Sequence, residues 1–201
     1  MSDKLQPAAL ILAAGGSERL GTPKQLLRIG NETLLQRSVR LCASLPVDSI
    51  HVVLGARAEA CQHDLGASTA ACYVNRDWRK GMGHSLAFGV KRICEERDPA
   101  ALLVLHADQY RIRAPDLVRL IEAWQAAPEQ VAAAAYAGTA GPPAIFPHAL
   151  FPLLQDSAGE KGAKALVLRP QSRHLAMPEA AYDVDTTDDL EALTRFAAQK
   201  A

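Results

Sequence analysis

A glycine-rich segment with one hydroxyl and two cations follows the first apolar run of the chain. It reads Leu12-Ala13-Ala14-Gly15-Gly16-Ser17-Glu18-Arg19-Leu20-Gly21-Thr22-Pro23-Lys24. Glycines let a backbone approach a ligand closely, and successive backbone N–H groups in such a loop bind anions. We therefore expect this loop, with Arg19 and Lys24 as fixed positive charges, to wrap a triphosphate. The alternative interpretation is a strand-to-helix turn whose charges are incidental.

The loop matches neither of the two common phosphate-binding patterns. Ser17 occupies the place of the second glycine in the dinucleotide pattern G-x-G-x-x-G, which disfavours an oxidoreductase using a nicotinamide cofactor. In the frame of a P-loop, Thr22 and Pro23 stand where Lys and Ser or Thr are required. Pro23 lacks an N–H and biases Thr22 away from helix, so we expect the loop to stay extended up to Lys24.

Acidic residues stand where a divalent cation could be held. Asp108 follows an apolar run at residues 102–105, so it should lie at the carboxyl end of that strand, beside the first loop if the two strands are neighbours. Magnesium is held by one or two carboxylates together with phosphate oxygens and water. Side chains alternate along an extended segment, which places Asp183 and Asp185 on one face. Their alternative interpretation is a pair of solvated acids before a helix.

The elements that position these residues alternate between short apolar runs and segments of helical period, a pattern typical of an α/β protein with a mainly parallel sheet. The four clearest strands are residues 8–13, 50–54, 71–74 and 102–105. Helical spacing of apolar residues predicts three crossover helices, around residues 35–42, 86–93 and 117–124.

The pattern weakens after residue 127. Residues 131–136 favour a strand over a helix, and residues 138–143 are rich in turn formers. Three further helices are expected at residues 149–155, 162–168 and 187–198. For the last of these, Thr186 can cap the helix, with Asp189 as the acidic partner of a capping box.

Length and composition define the broad class. The 201 residues predict a single domain, residues 1–201, and the balance of 22 basic and 22 acidic residues gives no excess charge for nucleic acid or anionic membranes. The longest apolar run is too short to span a membrane, and no secretory signal pattern is seen at the N-terminus, so a cytoplasmic location is expected. The four cysteines lack C-x-x-C spacing and are expected to be reduced and mostly buried: Cys42, Cys61, Cys72 and Cys94.

The glycine-rich segment resembles the signature L-A-A-G-x-S-x-R-M-G-x-x-K of nucleotidyltransferases that act on the molybdenum cofactor, with Leu20 in place of the usual Met. Similar segments follow in the same order. Residues 75–86 resemble N-x-x-W-x-x-G-M-x-x-S-L, and residues 107–109 resemble A-D-Q-P. Residues 136–143, 159–164 and 183–186 complete the series, so the resemblance spans most of the chain.

The resemblance implies a three-layer α/β/α fold with a Rossmann-like sheet of the nucleotide-diphospho-sugar transferase type. It also implies nucleotidyl transfer, in which an acceptor phosphate oxygen attacks the α-phosphorus of a nucleoside triphosphate and pyrophosphate leaves. Such a reaction depends on positioning and charge neutralisation. The implied catalytic residues are Arg19, Lys24 and Asp108. The residues implied to bind the nucleotide are Leu12, Ala13, Ala14, Gly15, Gly16, Ser17, Lys24, Gly81, Met82 and Ser85.

Two residues of the segment 75–86 have structural alternatives to a role in ligand binding. Ser85 could instead cap the N-terminus of the helix that follows it, although a helix N-terminus also attracts phosphate. Trp78 could stack on a ring of the ligand or simply contribute to packing. For the metal, the resemblance implies Mg²⁺ held by Asp108 and Asp185, with Asp183 as the substitute for Asp185.

The branches of that family differ in the base of the nucleotide that they transfer. The segment Ala13-Ala14-Gly15 resembles the branch that transfers a cytidylyl group, whereas the guanylyl branch has a glycine in the middle position. The expected substrates are therefore CTP and molybdenum-bound molybdopterin, the expected product is the cytosine dinucleotide cofactor, and a molybdoenzyme that receives it is a further implied partner. The alternatives are transfer from GTP, another phosphorylated acceptor, and a non-catalytic carrier of nucleotide or cofactor.

Four residues depart from the pattern of that family and bear on the acceptor. His106 stands where an apolar residue is usual, and Tyr110 stands where Pro follows Asp-Gln. Both are expected to flank the metal site, where His106 is either a metal ligand beside Asp108 or a structural histidine. Glu160 and Lys164 replace the usual Asp and Arg, and Lys is not equivalent to Arg at a bidentate phosphate contact.

Overall fold

A computed structural model of the chain describes residues 5–159 and 162–199. Its main feature is a seven-stranded sheet, accompanied by a small two-stranded hairpin. In chain order the strands are β1 (Ala8–Ala13), β2 (Arg28–Ile29), β3 (Glu32–Thr33), β4 (Ile50–Leu54), β5 (Ala71–Val74), β6 (Ala101–His106), β7 (Ala132–Tyr136), β8 (Thr139–Pro147) and β9 (Arg173–Ala176).

The sheet order is β5-β4-β1-β6-β8-β7-β9, and β2 pairs with β3 in the hairpin. The first four strands of that order are mutually parallel. Strand β8 runs antiparallel to both β6 and β7, while β9 is parallel to β7. The carboxyl ends of β1 and its neighbours β4 and β6 therefore meet at one edge, where open α/β sheets bind their ligands.

Helices cover both faces of the sheet, as expected for a mainly parallel sheet whose crossovers are helical. They are α1 (Leu34–Ala43), α2 (Ala58–Leu65), α3 (Met82–Glu96), α4 (Ala114–Gln125), α5 (Phe151–Gln155), α6 (Lys164–Val167) and α7 (Thr187–Ala198). Helices α1, α2 and α4 share one hydrophobic cluster with the sheet, and α3, α5 and α6 share the cluster on the opposite face. Alternate residues of β1 enter the two clusters, which makes three layers.

A third, smaller cluster holds the C-terminal helix α7 against the hairpin and α1. Its fully or nearly fully buried members are Ile29, Leu34, Tyr110, Val184 and Leu193. The ring of Tyr110 meets the ring of Phe196 edge to face, with centroids 5.3 Å apart. This cluster fixes the segment before α7, on which two of the acidic residues lie.

The strongest sequence patterns predicted their elements well. The predicted strand at residues 102–105 is extended by a residue at each end, and the other three clear strands have the predicted bounds. Helix α7 also has its predicted bounds, and Thr186 and Asp189 form the predicted capping box. The prediction of turns at residues 138–143 was right only at Gly138, which has a φ of 74° in the turn between β7 and β8, because β8 begins at Thr139 and pairs on both sides.

Two other predictions needed correction. The helices expected at residues 149–155 and 162–168 are shorter, with a 3₁₀ turn at His148–Leu150 before α5. All four cysteines are free, but only Cys42 and Cys61 are fully buried, and Cys94 is exposed. Within the described part of the chain, no helix has the length and apolar character needed to cross a bilayer.

Candidate active site

A cleft of about 690 Å³ opens at the carboxyl ends of β1 and β6. Its size is that of a pocket for a small-molecule ligand. Every residue that the sequence singled out as catalytic, nucleotide-binding or metal-binding lines this cleft: Leu12, Ala13, Ala14, Gly15, Gly16, Ser17, Arg19, Lys24, Gly81, Met82, Ser85, Asp108, Asp183 and Asp185. The structure thus brings together four distant segments of the chain, although the role of each residue stays a prediction.

The glycine loop is held in a tight turn. Ser17 has a φ of 53°, in the left-handed region that few non-glycine residues adopt, and its carbonyl oxygen accepts hydrogen bonds from the N–H groups of Leu20 and Gly21. The Ser17 Oγ accepts a hydrogen bond from the Lys24 N–H at 3.1 Å. The expectation of an extended loop was therefore only partly right, because the loop turns once before a 3₁₀ turn begins at Lys24.

Gln25 stabilises the glycine loop, a role that the sequence pattern did not predict. Its side chain is buried, and Nε2 donates hydrogen bonds to the carbonyl oxygens of Ala13 at 3.0 Å and Gly15 at 2.8 Å. These bonds fix the first residues of the loop against the end of β1. The only signal in the sequence was a polar residue immediately after Lys24 and before two leucines.

Lys24 lies between two carboxylates. Its Nζ atom is 2.5 Å from Asp108 Oδ2 and 2.6 Å from Asp185 Oδ1. Burial alone would lower the pKa of Lys24, but the two carboxylates outweigh that effect and the pKa is raised above its ordinary value. Lys24 is therefore a fixed positive charge at the centre of the cleft.

Asp185 has a second cationic partner in Arg19. The Arg19 Nη2 atom is 3.1 Å from Asp185 Oδ2, and the Arg19 side chain is largely exposed. Burial raises the pKa of Asp185, but the hydrogen bond and the charge of Lys24 lower it, and the charge of Arg19 lowers it further. The pKa of Asp185 is therefore below its ordinary value. Asp185 is thus ionised over the physiological range, as a metal ligand needs to be.

The acidic residues fit a divalent cation that also binds phosphate. Asp108 is buried, and its Oδ1 atom has no hydrogen-bond partner, so one oxygen is free for a cation. Asp183, Val184 and Asp185 all border the cleft, and Val184 itself is buried in the third cluster. Among the described residues, no group of three or more His, Cys, Asp and Glu side chains could hold a metal ion unaided. A divalent cation bound at Asp108 would therefore need further ligands, such as phosphate oxygens and water, to complete its shell.

The segment after β6 is anchored by Gln109. Its Nε2 atom donates to the carbonyl oxygens of Pro142 at 2.8 Å and Ala180 at 2.9 Å, which ties the Asp108 turn to β8 and to the 3₁₀ turn before α7. Tyr110 was expected to flank the metal site, and this was wrong. Its ring is buried in the third cluster together with Val184, and Tyr110 itself does not line the cleft.

The N-terminus of α3 forms the opposite wall. The helix begins at Met82 with Gly81 as its N-cap, so the alternative that Ser85 caps the helix was wrong. The Ser85 Oγ instead accepts a hydrogen bond from Asn75 Nδ2 at 3.1 Å. Asn75 is buried, and its backbone N–H donates to Leu54 at the end of β4, which positions this wall relative to the sheet.

Trp78 contributes to packing and also borders the cleft. A Cβ atom at Gly16 would lie 2.7 Å from the Trp78 ring, so the loop and the ring are in close contact only because residue 16 is glycine. Arg79 also lies over this ring, 4.5 Å from its centroid. The glycine loop therefore packs against an aromatic ring that has a cationic partner of its own.

Of the other residues that depart from the family pattern, His106 and Lys164 border this region, and Glu160 lies outside the described residues. His106 lines the cleft, and its Nε2 atom is buried without a hydrogen-bond partner. Burial, more than any charge nearby, lowers the pKa of His106. Lys164 is the first residue of α6 and borders an adjoining cavity.

The fold and the cleft together define a class. A glycine loop after β1, a half-buried Lys between two carboxylates and a helix N-terminus surround a space of nucleotide size at the edge of a mainly parallel sheet. Loop N–H groups, fixed cations and a carboxylate pair are the groups that phosphoryl-group transfer requires. This arrangement is that of an α/β nucleotide-binding transferase.

Comparison with known proteins identifies the family. A model of the MobA-like NTP transferase domain matches residues 9–175, so the chain belongs to this family. The chain is therefore a nucleotidyltransferase-type protein, and the predicted fold of the nucleotide-diphospho-sugar transferase type is confirmed. The resemblance to molybdenum cofactor nucleotidyltransferases is confirmed at the level of this family.

Three similar proteins each match more than three quarters of the chain. The purine catabolism protein PucB of Bacillus subtilis is 29% identical over 92% of this chain and 95% of its own. Nicotine blue oxidoreductase of Paenarthrobacter nicotinovorans is 28% identical over 79% of each chain. The crystal structure of Rv0371c from Mycobacterium tuberculosis in complex with manganese has a TM-score of 0.78 and 26% identity, over 94% of this chain and 98% of that one.

Proposed function

We propose that this protein is a magnesium-dependent cytidylyltransferase that transfers CMP from CTP to molybdenum-bound molybdopterin and releases pyrophosphate. The observation that carries the proposal is the position of Lys24, which reaches from the glycine loop to both Asp108 and Asp185. These three residues join the ends of β1 and β6 to the segment before α7. The same point is where the triphosphate of a nucleotide would meet a divalent cation.

Each part of the cleft has a task in this reaction. A phosphate oxygen of the acceptor forms a bond to the α-phosphorus, and the bond from that phosphorus to the bridging oxygen of the β-phosphate breaks. Backbone N–H groups of Gly15, Gly16 and Ser17 bind the phosphates. Lys24 and Arg19 stabilise the negative charge that develops on the departing pyrophosphate. Asp108 and Asp185 would hold Mg²⁺, with Asp183 as the substitute, and the ion would neutralise phosphate charge.

The divalent cation is supported by chemistry and by a relative. Asp108 has a free buried oxygen beside the pair formed by Lys24 and Asp185. The related Rv0371c has been crystallised with manganese. Manganese and magnesium share a preference for carboxylate, phosphate and water oxygens, and magnesium is our choice for this chain.

The preference for cytosine rests on the wall of the cleft near the loop. Ala14 is buried beside the loop and borders the cleft, where a glycine would leave more room for a purine. Met82 at the start of α3 is exposed to the same space and can cover one face of a pyrimidine ring. These features favour the smaller base.

The acceptor would occupy a second cavity of about 280 Å³, which we call the acceptor cavity. It adjoins the cleft, since Leu12, Met82 and His106 line both. Its apolar walls include Leu86, Val104, Phe146 and Val167, and its polar side chains are His106, Tyr136, Thr139 and Lys164. A flat ring system that carries a phosphate matches this combination.

The deciding experiment incubates the purified protein with Mg²⁺, molybdenum-bound molybdopterin and one labelled triphosphate at a time: CTP, GTP, ATP or UTP. We expect pyrophosphate release with CTP and a product mass equal to that of the cofactor plus CMP. Thermal unfolding with each triphosphate should rank CTP highest, because a ligand that binds only the folded state stabilises it. A product formed from GTP alone would contradict the choice of base.

Two other outcomes would point to different functions. Stabilisation by CTP and molybdopterin without any pyrophosphate would identify a carrier instead of an enzyme. The relative named nicotine blue oxidoreductase favours a redox reaction as the second candidate, which the absence of the G-x-G-x-x-G pattern opposes. Binding of NADH or NADPH to the purified protein, measured by fluorescence, would support that candidate, and the lack of binding would remove it.

A further inference from the structure

His106 stands at the boundary between the cleft and the acceptor cavity. It is the last residue of β6, two positions before Asp108, and it lines both spaces. The other two boundary residues, Leu12 and Met82, are apolar. The imidazole is therefore the polar side chain that a ligand extending from one space into the other would pass.

The ring of His106 has unused hydrogen-bonding capacity. Its Nε2 atom is buried without a partner, and none of the described side chains forms a hydrogen bond with the ring. The one hydrogen bond of this residue to a side chain is made by its backbone N–H, which donates to Gln109 Oε1. Buried polar atoms in proteins are almost always paired, so this atom is available for a bound molecule.

The surroundings of the ring limit what that molecule can be. Val104, on the same strand two residues earlier, and Leu86 and Phe146 give the adjoining cavity an apolar wall. Beyond them, Tyr136 and Thr139 line the cavity as polar side chains. A ligand there needs apolar ring faces for the wall, together with a polar ring edge for the imidazole.

We propose that His106 is a specificity-determining residue, which hydrogen-bonds the polar edge of a phosphorylated heterocyclic acceptor where the acceptor cavity meets the cleft. The proposal rests on the function proposed above and adds the residue that selects the acceptor. A site with a buried polar atom rejects ligands that cannot pair with it, so this contact gives discrimination as well as affinity.

The test compares the wild type with His106→Leu, which keeps the approximate volume and removes the polar atoms, and with His106→Asn, which keeps a donor and an acceptor. Equilibrium dialysis with molybdenum-bound molybdopterin gives its Kd without turnover, and pyrophosphate release gives KM for both substrates. His106→Leu should raise Kd and KM for molybdopterin by about 10-fold, the scale of one lost hydrogen bond to a buried group. His106→Asn should return both to within about 3-fold of the wild type.

KM for CTP separates recognition of the acceptor from general damage, and it should change less than about 2-fold in both variants if a single acceptor contact is lost. His63→Leu, at an exposed position of α2, is the matched control and should leave all constants unchanged. If His106→Leu does not fold, His106→Met is the second apolar variant, because Met adapts to irregular gaps. Circular dichroism establishes folding before the assays.

Three results would overturn the proposal. The first is an equal Kd for molybdopterin in the wild type and the apolar variant, and the second is a loss of CTP affinity in that variant as large as its loss of molybdopterin affinity. The third is no binding of molybdopterin to the wild type. The first two results are distinct from failure of the proposed function, whereas the third would also refute molybdopterin as its acceptor. A wild type that binds molybdopterin but releases no pyrophosphate would refute the transferase, whereas the dialysis comparison would still decide the role of His106.

Discussion

At the scale of single residues, the cleft is organised around one lysine. Lys24 has two carboxylate partners and lies only partly exposed, so its charge is both fixed and shielded from water. A charged group that is already in place needs no reorganisation when negative charge develops during the reaction. The positive charge of Lys24 also offsets the electrostatic repulsion between Asp108 and Asp185. The lysine therefore has a structural as well as a chemical role.

Replacement of Lys24 by alanine should lower the turnover of CTP and acceptor by at least about 10²-fold, the typical effect of removing one preorganised stabilising group. Pyrophosphate release at saturating substrates measures this. Lys91→Ala, at an exposed position of α3, is the control and should turn over at the wild-type rate. Undiminished turnover of Lys24→Ala would show that Lys24 does not stabilise the departing charge.

Residue types and their order predicted the location of the site but not its supports. A combination of glycines, cations and acids can be recognised in a sequence, because only a few kinds of reaction use them together. Gln25 and Asn75 did not, since a buried amide that bonds to backbone carbonyls or to a serine is indistinguishable in sequence from a surface amide. Tyr110 was misplaced for a related reason. Its neighbours in the chain border the cleft, but its ring packs against α7, which lies more than 75 residues away in sequence.

At the scale of elements, the parallel half of the sheet could be predicted from the sequence, but in the antiparallel half only the strand at residues 131–136 was predicted. Strands β1, β4, β5 and β6 are compact apolar runs, as expected for strands that are covered on both faces. Strand β8 contains Gly141, Pro142 and Pro143, which are typical of turns, yet Gly141 pairs with β7 and the residues that follow Pro143 pair with β6 and β7, so the segment is part of a strand. Strand β9 is mostly exposed at the sheet edge and has no apolar pattern to reveal it.

Strands β4 and β5 and helix α3 share a chain of hydrogen-bonded polar groups at the end of the sheet opposite the cleft, in which His51 and Tyr73 are buried. His51 Nδ1 is 3.1 Å from the Tyr73 hydroxyl, which donates to Glu96 Oε2 at 2.8 Å. His51 Nε2 is 3.0 Å from Ser49 Oγ. Burial lowers the pKa of His51, and the charge of Arg97 lowers it further. Glu96 and Asp48 act in the opposite direction but do not cancel these effects.

His51 should therefore make the stability of the fold depend on pH. Its pKa is below the ordinary value of about 6.5 in the folded state, so the unfolded chain binds the proton more readily. The contribution of uncharged His51 to the free energy of unfolding is fully present above about pH 6.5 and decreases as the pH falls through that value. It is completely lost below the folded-state pKa of His51. Urea unfolding at pH 8 and pH 5 should show a larger loss of stability for the wild type than for His51→Gln, which does not titrate. Equal losses would contradict this assignment.

At the scale of the whole molecule, the site is formed by segments that only the complete fold brings together. The glycine loop follows β1, Asp108 follows β6, and Asp185 precedes a helix held by the third cluster. A net formal charge of zero means that the attraction of a triphosphate depends on this local cluster of charges and not on the overall field. Sequence pattern predicted the fold class, and the arrangement of the layers made the predicted site residues converge.

Because the site is shared between distant segments, nucleotide binding should stabilise the entire fold, and the divalent cation should add to that effect through Asp108. CTP with Mg²⁺ at 100 times its Kd should raise the free energy of unfolding by about 2.7 kcal/mol, and CTP with EDTA should give less. In Asp108→Asn the difference between Mg²⁺ and EDTA should disappear, since the amide cannot replace the free carboxylate oxygen. Asp156→Asn, at an exposed position after α5, should retain the difference. Thermal unfolding measures all three proteins, and a full Mg²⁺ effect in Asp108→Asn would exclude Asp108 as a metal ligand.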